Sequence, residues 1–514
     1  MIPNSLPSYA FIRLSVWTLR AIAPASVVYC VARALLGRGL LSWPLEILAL
    51  AEALFYFGVS LPRQWMLDRS RPQPVQRSPG ERQELFDRCW SSIPDKESFL
   101  RVYFRGAALD HIHRDDLKDF LAWGFLYQTK ALPADDHELE AYVRQIEESL
   151  GRTFPSGRGL CRALQVSTDA LQVQHKPLLF YVVSQANAHD PTSLQRALTR
   201  VQFAVGADDI MTYSMARYIG LQHHRLPFRD FFTVFPFRPH TLFTEHKSPS
   251  DRIAYWYRPH TSATRLPVLF IHGIGVGMRT YTGFLRDFVQ ADAAGDGQTG
   301  IIAIELMPIS IRITKGMPPR SELLAEILKI LQHHGWGRFT LMGHSYGTII
   351  ATHILQHLQG TGRVGPMLLV DPVTLSIHWG GIPYNFLYRL PRKASEWQLQ
   401  YFASTDMCVA HTITRRFDWT NNVLWKDDMK GRTITIALAS EDIILDPFAL
   451  HDYLLSDDEL AARSHKPRDL LRNHHSSGLD VVWFDGINHS EMFDKAEHWQ
   501  PLVTVLHSYC RMLK

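Results

Sequence analysis

The chain has 514 residues, of which 46% are hydrophobic and 20% are charged, so it can bury a large core and is neither disordered nor fibrous. At this length we expect two or three folded units. Its 54 Lys and Arg residues nearly balance 50 Asp and Glu residues, and a formal net charge of +4 argues against a nucleic acid as the main partner. Five scattered cysteines without CxxC spacing indicate a reducing compartment.

Residues 1–66 are unusually apolar. Two apolar runs, 9–36 and 40–62, flank a Gly-Arg-Gly break at 37–39. Charged residues interrupt both runs, and a charge at the bilayer centre costs about 2.5–3.5 kcal/mol: Arg13, Arg20, Glu46 and Glu52. We interpret the segment as membrane-associating. A single anchor at 40–61, a helical hairpin that turns at 37–39, and helices lying in the interface are all compatible with it, as is a helix pair packed on a soluble body.

A second region precedes the motifs. Residues 68–81 are rich in Pro, Arg, Gln and Ser and read as a linker, and residues 86–221 show mainly helical periodicity without catalytic spacing. We therefore predict a linker and helical accessory region at 67–225, followed by an α/β domain at 226–514.

The first motif of that domain is a glycine-rich loop after a buried strand. The apolar run 267–271 leads into His272, Gly273, Gly275 and Gly277. Glycines at this spacing let backbone N–H groups face a ligand. A dinucleotide-binding loop is a poor alternative, because methionine occupies position 278 where a third glycine would be needed.

The second motif joins a strand to a helix through a serine. The apolar run 339–342 is followed by Gly343-His-Ser345-Tyr-Gly347 and then by apolar residues at helical spacing up to Leu358. Small residues two positions before and after the serine let strand and helix approach at a sharp turn. The pattern therefore predicts an exposed Ser345 hydroxyl on a strand–turn–helix.

Three polar residues follow later strand runs. Asp371 follows the run 367–370, Asp442 follows the run 433–438, and His489 follows the run 481–484 after a short loop. Along the chain the candidate residues therefore occur in the order serine, acid, histidine.

Together these motifs resemble the α/β-hydrolase superfamily, in its serine esterase and lipase branch, from about Phe231 to Leu513. The resemblance implies an α/β-hydrolase fold, with a mostly parallel central sheet flanked by helices. It implies a triad and two backbone oxyanion donors: Ser345, Asp442, His489, and the N–H groups of Ile274 and Tyr346. Some members supply the acid after the preceding strand, which makes Asp371 the alternative acid. Ala439 stands where members often have glycine, so the acid turn can differ in shape.

An insert of about sixty residues, at about 372–431, separates two of the strand runs and is far longer than the usual connection of about 2–6 residues. We predict a helical cap over the site. Its many aromatic residues suit a bulky apolar substrate, or else form the cap's own core.

These observations predict a membrane-associated serine hydrolase that cleaves a lipophilic carboxylic ester or lipid, without a cofactor or metal. An acyltransferase, a thioesterase or another biosynthetic enzyme with the same triad is the first alternative, and a catalytically silent binding protein is the second. We expect an intracellular membrane, such as the endoplasmic reticulum or a lipid droplet, with the cytoplasm as the alternative. No sequence feature identifies a protein partner.

Overall fold

The structure is a computed structural model and describes residues 1–69, 76–182, 205–235, 238–242, 244–292, 296–455 and 478–512. Within these ranges eight strands form one sheet in the order β1-β2-β4-β3-β5-β6-β7-β8. The strands are β1 (Gln222–His224), β2 (Ala254–Arg258), β3 (Val268–Ile271), β4 (Ile301–Glu305), β5 (Phe339–His344), β6 (Val364–Val370), β7 (Ile434–Ala439) and β8 (Leu479–Phe484). β1 begins four residues before the predicted start of the α/β domain.

Strands β3 to β8 run parallel, whereas β2 pairs antiparallel with both β1 and β4. Every residue of β3, β4 and β5 is buried, as expected for parallel strands covered on both faces. The register pairs Ile271 with Gly343, so the glycine-rich loop and the serine turn leave the sheet side by side. Loops at the carboxyl ends of parallel strands share one edge, and this edge carries the predicted site residues.

Helices cover both faces of this sheet. On one face Phe284 and Leu502 pack in a core with Phe270 and Val370, and on the other face a second core contains Ile327. The helices of this part are α9 (Val205–Tyr218), α10 (Thr282–Ala291), α11 (Arg320–His333), α12 (Gly347–His357), α16 (Pro447–Leu454) and α17 (Ala496–Cys510). The α/β-hydrolase fold inferred from the motifs is therefore the observed fold.

The insert between β6 and β7 consists of short helical segments. Two of them are π-helical, at Tyr384–Tyr388 and Leu399–Ser404. The α-helices of the insert are α13 (Gly381–Pro383), α14 (Ala394–Gln398) and α15 (Met407–Arg415). They lie over the carboxyl edge of the sheet and form one wall of the cavity described below.

The accessory region is helical in its described part and packs against this insert. Its helices are α4 (Pro79–Ser91), α5 (Lys96–Tyr103), α6 (Arg114–Leu126), α7 (Asp136–Leu150) and α8 (Leu178–Val182). The Trp419 indole donates to the carbonyl of Gly124 at 3.1 Å, and the buried Arg415 guanidinium donates to the carbonyls of Ser167 and Asp169 at 3.1 and 2.7 Å. One continuous hydrophobic core runs from these helices through the insert to the sheet.

The N-terminal segment forms a helical hairpin. Helix α1 (Leu6–Leu36) ends at Gly37, whose φ of 66° is left-handed and favours glycine. After the turn, α2 (Trp43–Phe55), a π-helical turn (Tyr56–Ser60) and α3 (Leu61–Asp68) follow without a break. By length and composition, α1 and the stretch Trp43–Asp68 could each cross a membrane.

Three charged side chains of the hairpin contact the rest of the protein. Arg13 lies over the Trp397 ring at 4.2 Å, Arg20 donates to the Gln174 side chain, and buried Glu52 accepts from the backbone N–H of Leu178 at 2.6 Å. Large apolar side chains point outward instead: Leu14, Trp17, Val28, Val31, Leu35, Trp43, Ile47, Leu50, Leu54 and Phe57. Three of the four charges that interrupt the apolar runs therefore contact the body of the protein, whereas Glu46 pairs with Arg33 inside the hairpin, and the outer face of the hairpin carries large apolar side chains.

Candidate active site

Ser345 occupies the turn between β5 and α12. Its φ of 50° is left-handed, a conformation that a non-glycine residue adopts only when the surrounding structure imposes it. Gly347 begins α12 so close to β3 that a Cβ atom there would lie 2.2 Å from the carbonyl oxygen of Ile271. Gly343 is less crowded, with its nearest contact for a Cβ atom at 3.0 Å. The close approach of α12 to the sheet thus forces the serine turn.

The structure brings Ser345, His489 and Asp442 into hydrogen-bonding distance. His489 Nε2 lies 2.9 Å from Ser345 Oγ, and His489 Nδ1 lies 2.6 Å from Asp442 Oδ2. The other oxygen of Asp442 accepts from the N–H groups of Ile444 and Leu445 at 2.7 and 2.9 Å. These bonds hold the carboxylate in the plane in which it accepts the imidazole proton.

His489 is buried, and burial alone would lower its pKa because it disfavours the imidazolium. The charge of Asp442 and its hydrogen bond act in the opposite direction, and the charge of Asp371 adds to them. Their sum raises the pKa of His489 above its ordinary value. The site therefore stabilises a proton on this imidazole.

Asp371, the predicted alternative acid, lies next to the triad without bonding to the imidazole. Its Oδ2 is 3.9 Å from His489 Nδ1 and accepts instead from the N–H of Ser490 at 2.9 Å, while Oδ1 accepts from the N–H of Ala439 at 3.1 Å. Burial would raise its pKa, but neighbouring His344 and His489 hold that pKa below the usual range. Asp371 is thus a buried carboxylate that braces the loops of both Asp442 and His489.

The glycine-rich loop is fixed by His272. The N–H of Leu306 donates to His272 Nε2 at 2.9 Å, so the proton of the neutral ring resides on Nδ1 and is donated to the carbonyl of Gly273 at 2.7 Å. A Cβ atom on Gly273 would lie 2.9 Å from Ser345 Cβ, which explains the glycine. Ile274, from this loop, and Tyr346, next to the serine, both line the cavity beside Ser345.

Two residues near the site were not identified from the sequence. The Tyr281 hydroxyl accepts from the N–H of Gly273 at 3.0 Å and therefore donates to His344 Nδ1 at 2.7 Å. This leaves the Nε2 proton of His344 facing Asp371 Oδ2, 3.8 Å away. A buried chain of polar groups thus joins the glycine-rich loop to the residues behind His489. The only sequence signal for it was the histidine inside the serine motif.

Asn488 was also missed, although it precedes His489 directly. Its side-chain oxygen accepts from the N–H groups of His489 and Ile443 at 2.7 and 3.2 Å, and its own N–H donates to Glu491 at 2.8 Å. These bonds tie the histidine loop to the loop of Asp442, so the distance between base and acid depends on this amide.

Among the described residues, one group of possible metal ligands was found: His344, Asp371 and His489, whose ligand atoms lie within 4.8 Å of one another. The Asp371 oxygen nearest the two rings accepts from Ser490 N–H, and His489 Nδ1 is bonded to Asp442. The hydrogen bonds described above account for the close grouping of these three side chains.

The Ser345 hydroxyl opens into a cavity of about 1080 Å³. Its inner surface is mostly apolar and comes from the insert, from the loops at the carboxyl edge of the sheet and from neighbouring helices, with contributions from the accessory region and from Met1 and Pro3 ahead of α1. Cavities for drug-sized ligands span about 300–1,000 Å³, so this one suits a large ligand. Four aromatic residues of the insert face it: Phe386, Phe402, Phe417 and Trp419. Fully buried Tyr401 is not among the lining residues and belongs to the insert's own core.

Comparison with known proteins agrees with the topology. Residues 268–497 match a family model described as the alpha/beta hydrolase family. No curated protein sequence is significantly similar to the chain.

Similar solved structures include a carboxylesterase of the thaumarchaeon Nitrososphaera gargenis (15% identity, covering 50% of this chain and 94% of that one, TM-score 0.33). Naproxen esterase from Bacillus subtilis is 9% identical, covering 59% of this chain and 98% of that one, with a TM-score of 0.35. An epoxide hydrolase from Vigna radiata is 13% identical, covering 50% of this chain and 93% of that one, with a TM-score of 0.32.

Proposed function

Because residues 268–497 form an α/β-hydrolase domain, we propose that this protein is a membrane-associated serine hydrolase that cleaves a lipophilic carboxylic ester. One observation carries the proposal: His489 lies 2.9 Å from the Ser345 hydroxyl and 2.6 Å from Asp442. A nucleophile, a base and a carboxylate that orients the base are the set of groups needed for acyl transfer to an enzyme serine.

In the reaction, His489 Nε2 takes the Ser345 proton as Oγ attacks the ester carbonyl carbon. Asp442 keeps the Nδ1 proton in place and stabilises the imidazolium. The N–H groups of Ile274 and Tyr346 donate to the oxyanion of the tetrahedral intermediate. His489 then protonates the leaving alcohol, which gives an acyl-enzyme on Ser345. Water attacks this ester with His489 as base, and the acid and free serine are released.

The raised pKa of His489 fits both halves of this cycle. The imidazole must accept a proton in the attack and return it to the alcohol, and the negative charge of Asp442 favours the protonated intermediate. Only the neutral imidazole can start the reaction. We therefore expect kcat/KM to fall as the pH drops through a value above the ordinary histidine pKa.

A lipophilic substrate is supported by the cavity and by the hairpin together. The cavity wall includes Met1 and Pro3, which lead directly into α1. The outward face of α1 and α2 carries large apolar side chains, and a continuous apolar face of this kind on a water-soluble surface is unfavourable. We propose that the hairpin inserts into a lipid bilayer and holds the cavity next to it.

The catalytic proposal is tested by labelling with a fluorophosphonate, which reacts with activated serines. We expect the wild type to label, Ser345→Ala to be unlabelled, and Ser508→Ala, at a residue of α17 that does not line the cavity, to label normally. Hydrolysis of p-nitrophenyl esters should fall by about 10⁴-fold or more in Ser345→Ala. An unlabelled wild type would instead support a catalytically silent binding protein. Product analysis with added glycerol separates hydrolysis from acyl transfer.

The membrane proposal is tested by flotation with phosphatidylcholine vesicles. Trp17 and Leu35 are 72% and 82% exposed on α1, and a charged replacement there opposes burial in lipid. We expect the double variant Trp17→Glu/Leu35→Glu to float less than the wild type. Leu160→Glu, at an exposed leucine of the accessory region, is the matched control and should float normally. Equal flotation of the double variant and the control would contradict the proposal.

A further inference from the structure

We infer that the accessory helices complete an acyl-chain subsite, in which Trp123 and Tyr103 limit the length of the chain. This inference rests on the proposed ester hydrolysis and deepens it, because it assigns the substrate class as esters of long-chain acids. Tyr103 ends α5 and Trp123 lies on α6, and both line the same cavity as Ser345.

The apolar part of the cavity can be followed outward from the serine. The Tyr346 ring is 6.4 Å from the Phe417 ring, and Phe417 and Trp419 both line the cavity. Trp419 packs edge-on against Phe125 of α6, with 5.6 Å between ring centroids. The apolar surface next to the nucleophile therefore continues through the insert to the accessory helices.

The accessory wall is held rigidly. The Trp123 indole donates to Ser167 Oγ at 2.9 Å, and the Tyr103 ring packs against Phe99 and Phe120 at 4.9 and 4.7 Å. On its other side Tyr103 contacts the insert at Gly380, where a Cβ atom would lie 2.6 Å from the ring. Because these rings are fixed on both sides, they act as a stop for a chain rather than as a compressible lining.

Polar atoms at this end are paired with one another. The Tyr127 hydroxyl donates to Asp418 Oδ2 at 2.8 Å and accepts from Arg77 at 3.2 Å. The cavity is also lined by charged side chains of both signs, such as Arg286 and Glu491. An occupant with a long apolar tail and a polar part near these charges matches that distribution.

The test measures kcat/KM for p-nitrophenyl esters from C4 to C16. Trp123→Ala lengthens the apolar space. Two or more further methylenes then become buried, each worth about fourfold, so the C16 to C8 ratio should rise about 16-fold or more. Val166→Phe adds a ring to the same wall and should lower this ratio. Phe154→Ala, at a buried accessory residue that does not line the cavity, should leave it unchanged.

The outcomes separate this inference from the function on which it rests. A wild type that hydrolyses no ester overturns both. A wild type that hydrolyses esters, with the same chain-length profile in Trp123→Ala, Val166→Phe and Phe154→Ala, overturns the subsite and leaves the hydrolase intact. If Trp123→Ala does not fold, Val166→Phe decides alone, because it keeps an apolar side chain at a position that lines the cavity.

Discussion

The two glycines around Ser345 should differ sharply in their tolerance of a methyl group. In Gly347→Ala the new Cβ atom would lie 2.2 Å from the carbonyl oxygen of Ile271 and 2.8 Å from that of His272. Carbon and oxygen in van der Waals contact are about 3.3 Å apart. Both obstacles are backbone atoms of β3 and its loop, so α12 must move away from the sheet by about 1 Å.

That movement would carry Ser345 away from His489 and from the glycine-rich loop. A misplacement of about 1 Å at a catalytic group costs about 10²-fold in rate, and overpacking costs about 1–3 kcal/mol of folding free energy. In Gly343→Ala the nearest atom is 3.0 Å away, so a shift of a few tenths of an ångström suffices. We expect a loss below about tenfold there.

The assay is kcat/KM on p-nitrophenyl butyrate together with the thermal unfolding midpoint. Gly337→Ala is the control, because its Cβ atom would point into open space. We expect the order of activity Gly337→Ala, Gly343→Ala, Gly347→Ala, with the first equal to the wild type. Wild-type activity in Gly347→Ala would refute the argument that close packing of α12 on β3 positions the serine.

Four further predictions concern buried polar groups. Asp371→Asn removes a charge 3.9 Å from His489 Nδ1, so the pKa of His489 should fall and the acid limb of kcat/KM should move to lower pH. An unchanged limb in the pH profile would contradict this, whereas Asp442→Asn should lower kcat about 10⁴-fold. Tyr281→Phe deprives the Gly273 N–H of its acceptor and should cost about 1–3 kcal/mol in urea unfolding, with kcat reduced more than KM is raised. Arg238→Met leaves the buried Glu305 carboxylate without its two hydrogen bonds from the guanidinium. The free energy of unfolding in urea should fall by about 3–5 kcal/mol. A fall below about 1 kcal/mol would show that the other partners of Glu305 are enough to stabilise its charge.

The serine turn was predictable because its causes are local. Gly343, Ser345 and Gly347 lie within five residues, between a strand run and a helical run, and this combination indicates a sharp bend without knowledge of the contacts of α12 with β3. The mostly parallel sheet was implied by the resemblance of these motifs to the α/β-hydrolase superfamily, and the strand pairing agrees with it. The α/β-hydrolase fold is accordingly confirmed.

The ranking of the two acids could not be derived in the same way. Asp371 and Asp442 follow neighbouring strands, β6 and β7, and either could face the imidazole. Their distances from His489 Nδ1, 3.9 and 2.6 Å, depend on the loop that Asn488 ties together and on the N–H of Ser490. The contact of Asp371 with the histidine loop joins segments more than a hundred residues apart, and a local sequence pattern does not encode such a contact. The roles of the triad stay predictions until the variants are measured.

The contacts of the hairpin and of the accessory helices could not be predicted from the sequence either, because their partners are distant in the chain. Arg13 and Glu52 looked like obstacles to membrane insertion, but their partners Trp397 and Leu178 lie far away in the chain. From the sequence, Trp123 could be assigned only to a region of helical periodicity. Its position beside the cavity could not be predicted, because it arises from the insert that packs on α6.

The shared core of the accessory helices, the insert and the sheet also determines how the protein can be divided. A fragment trimmed to the portion that matches the family would lose α4 to α7, and with them the apolar neighbours of the insert. Freshly uncovered hydrophobic surface would promote self-association, so such a fragment should be recovered as aggregates. Calorimetry of the intact chain should accordingly give a single endotherm for these parts, since none can melt without exposing the others.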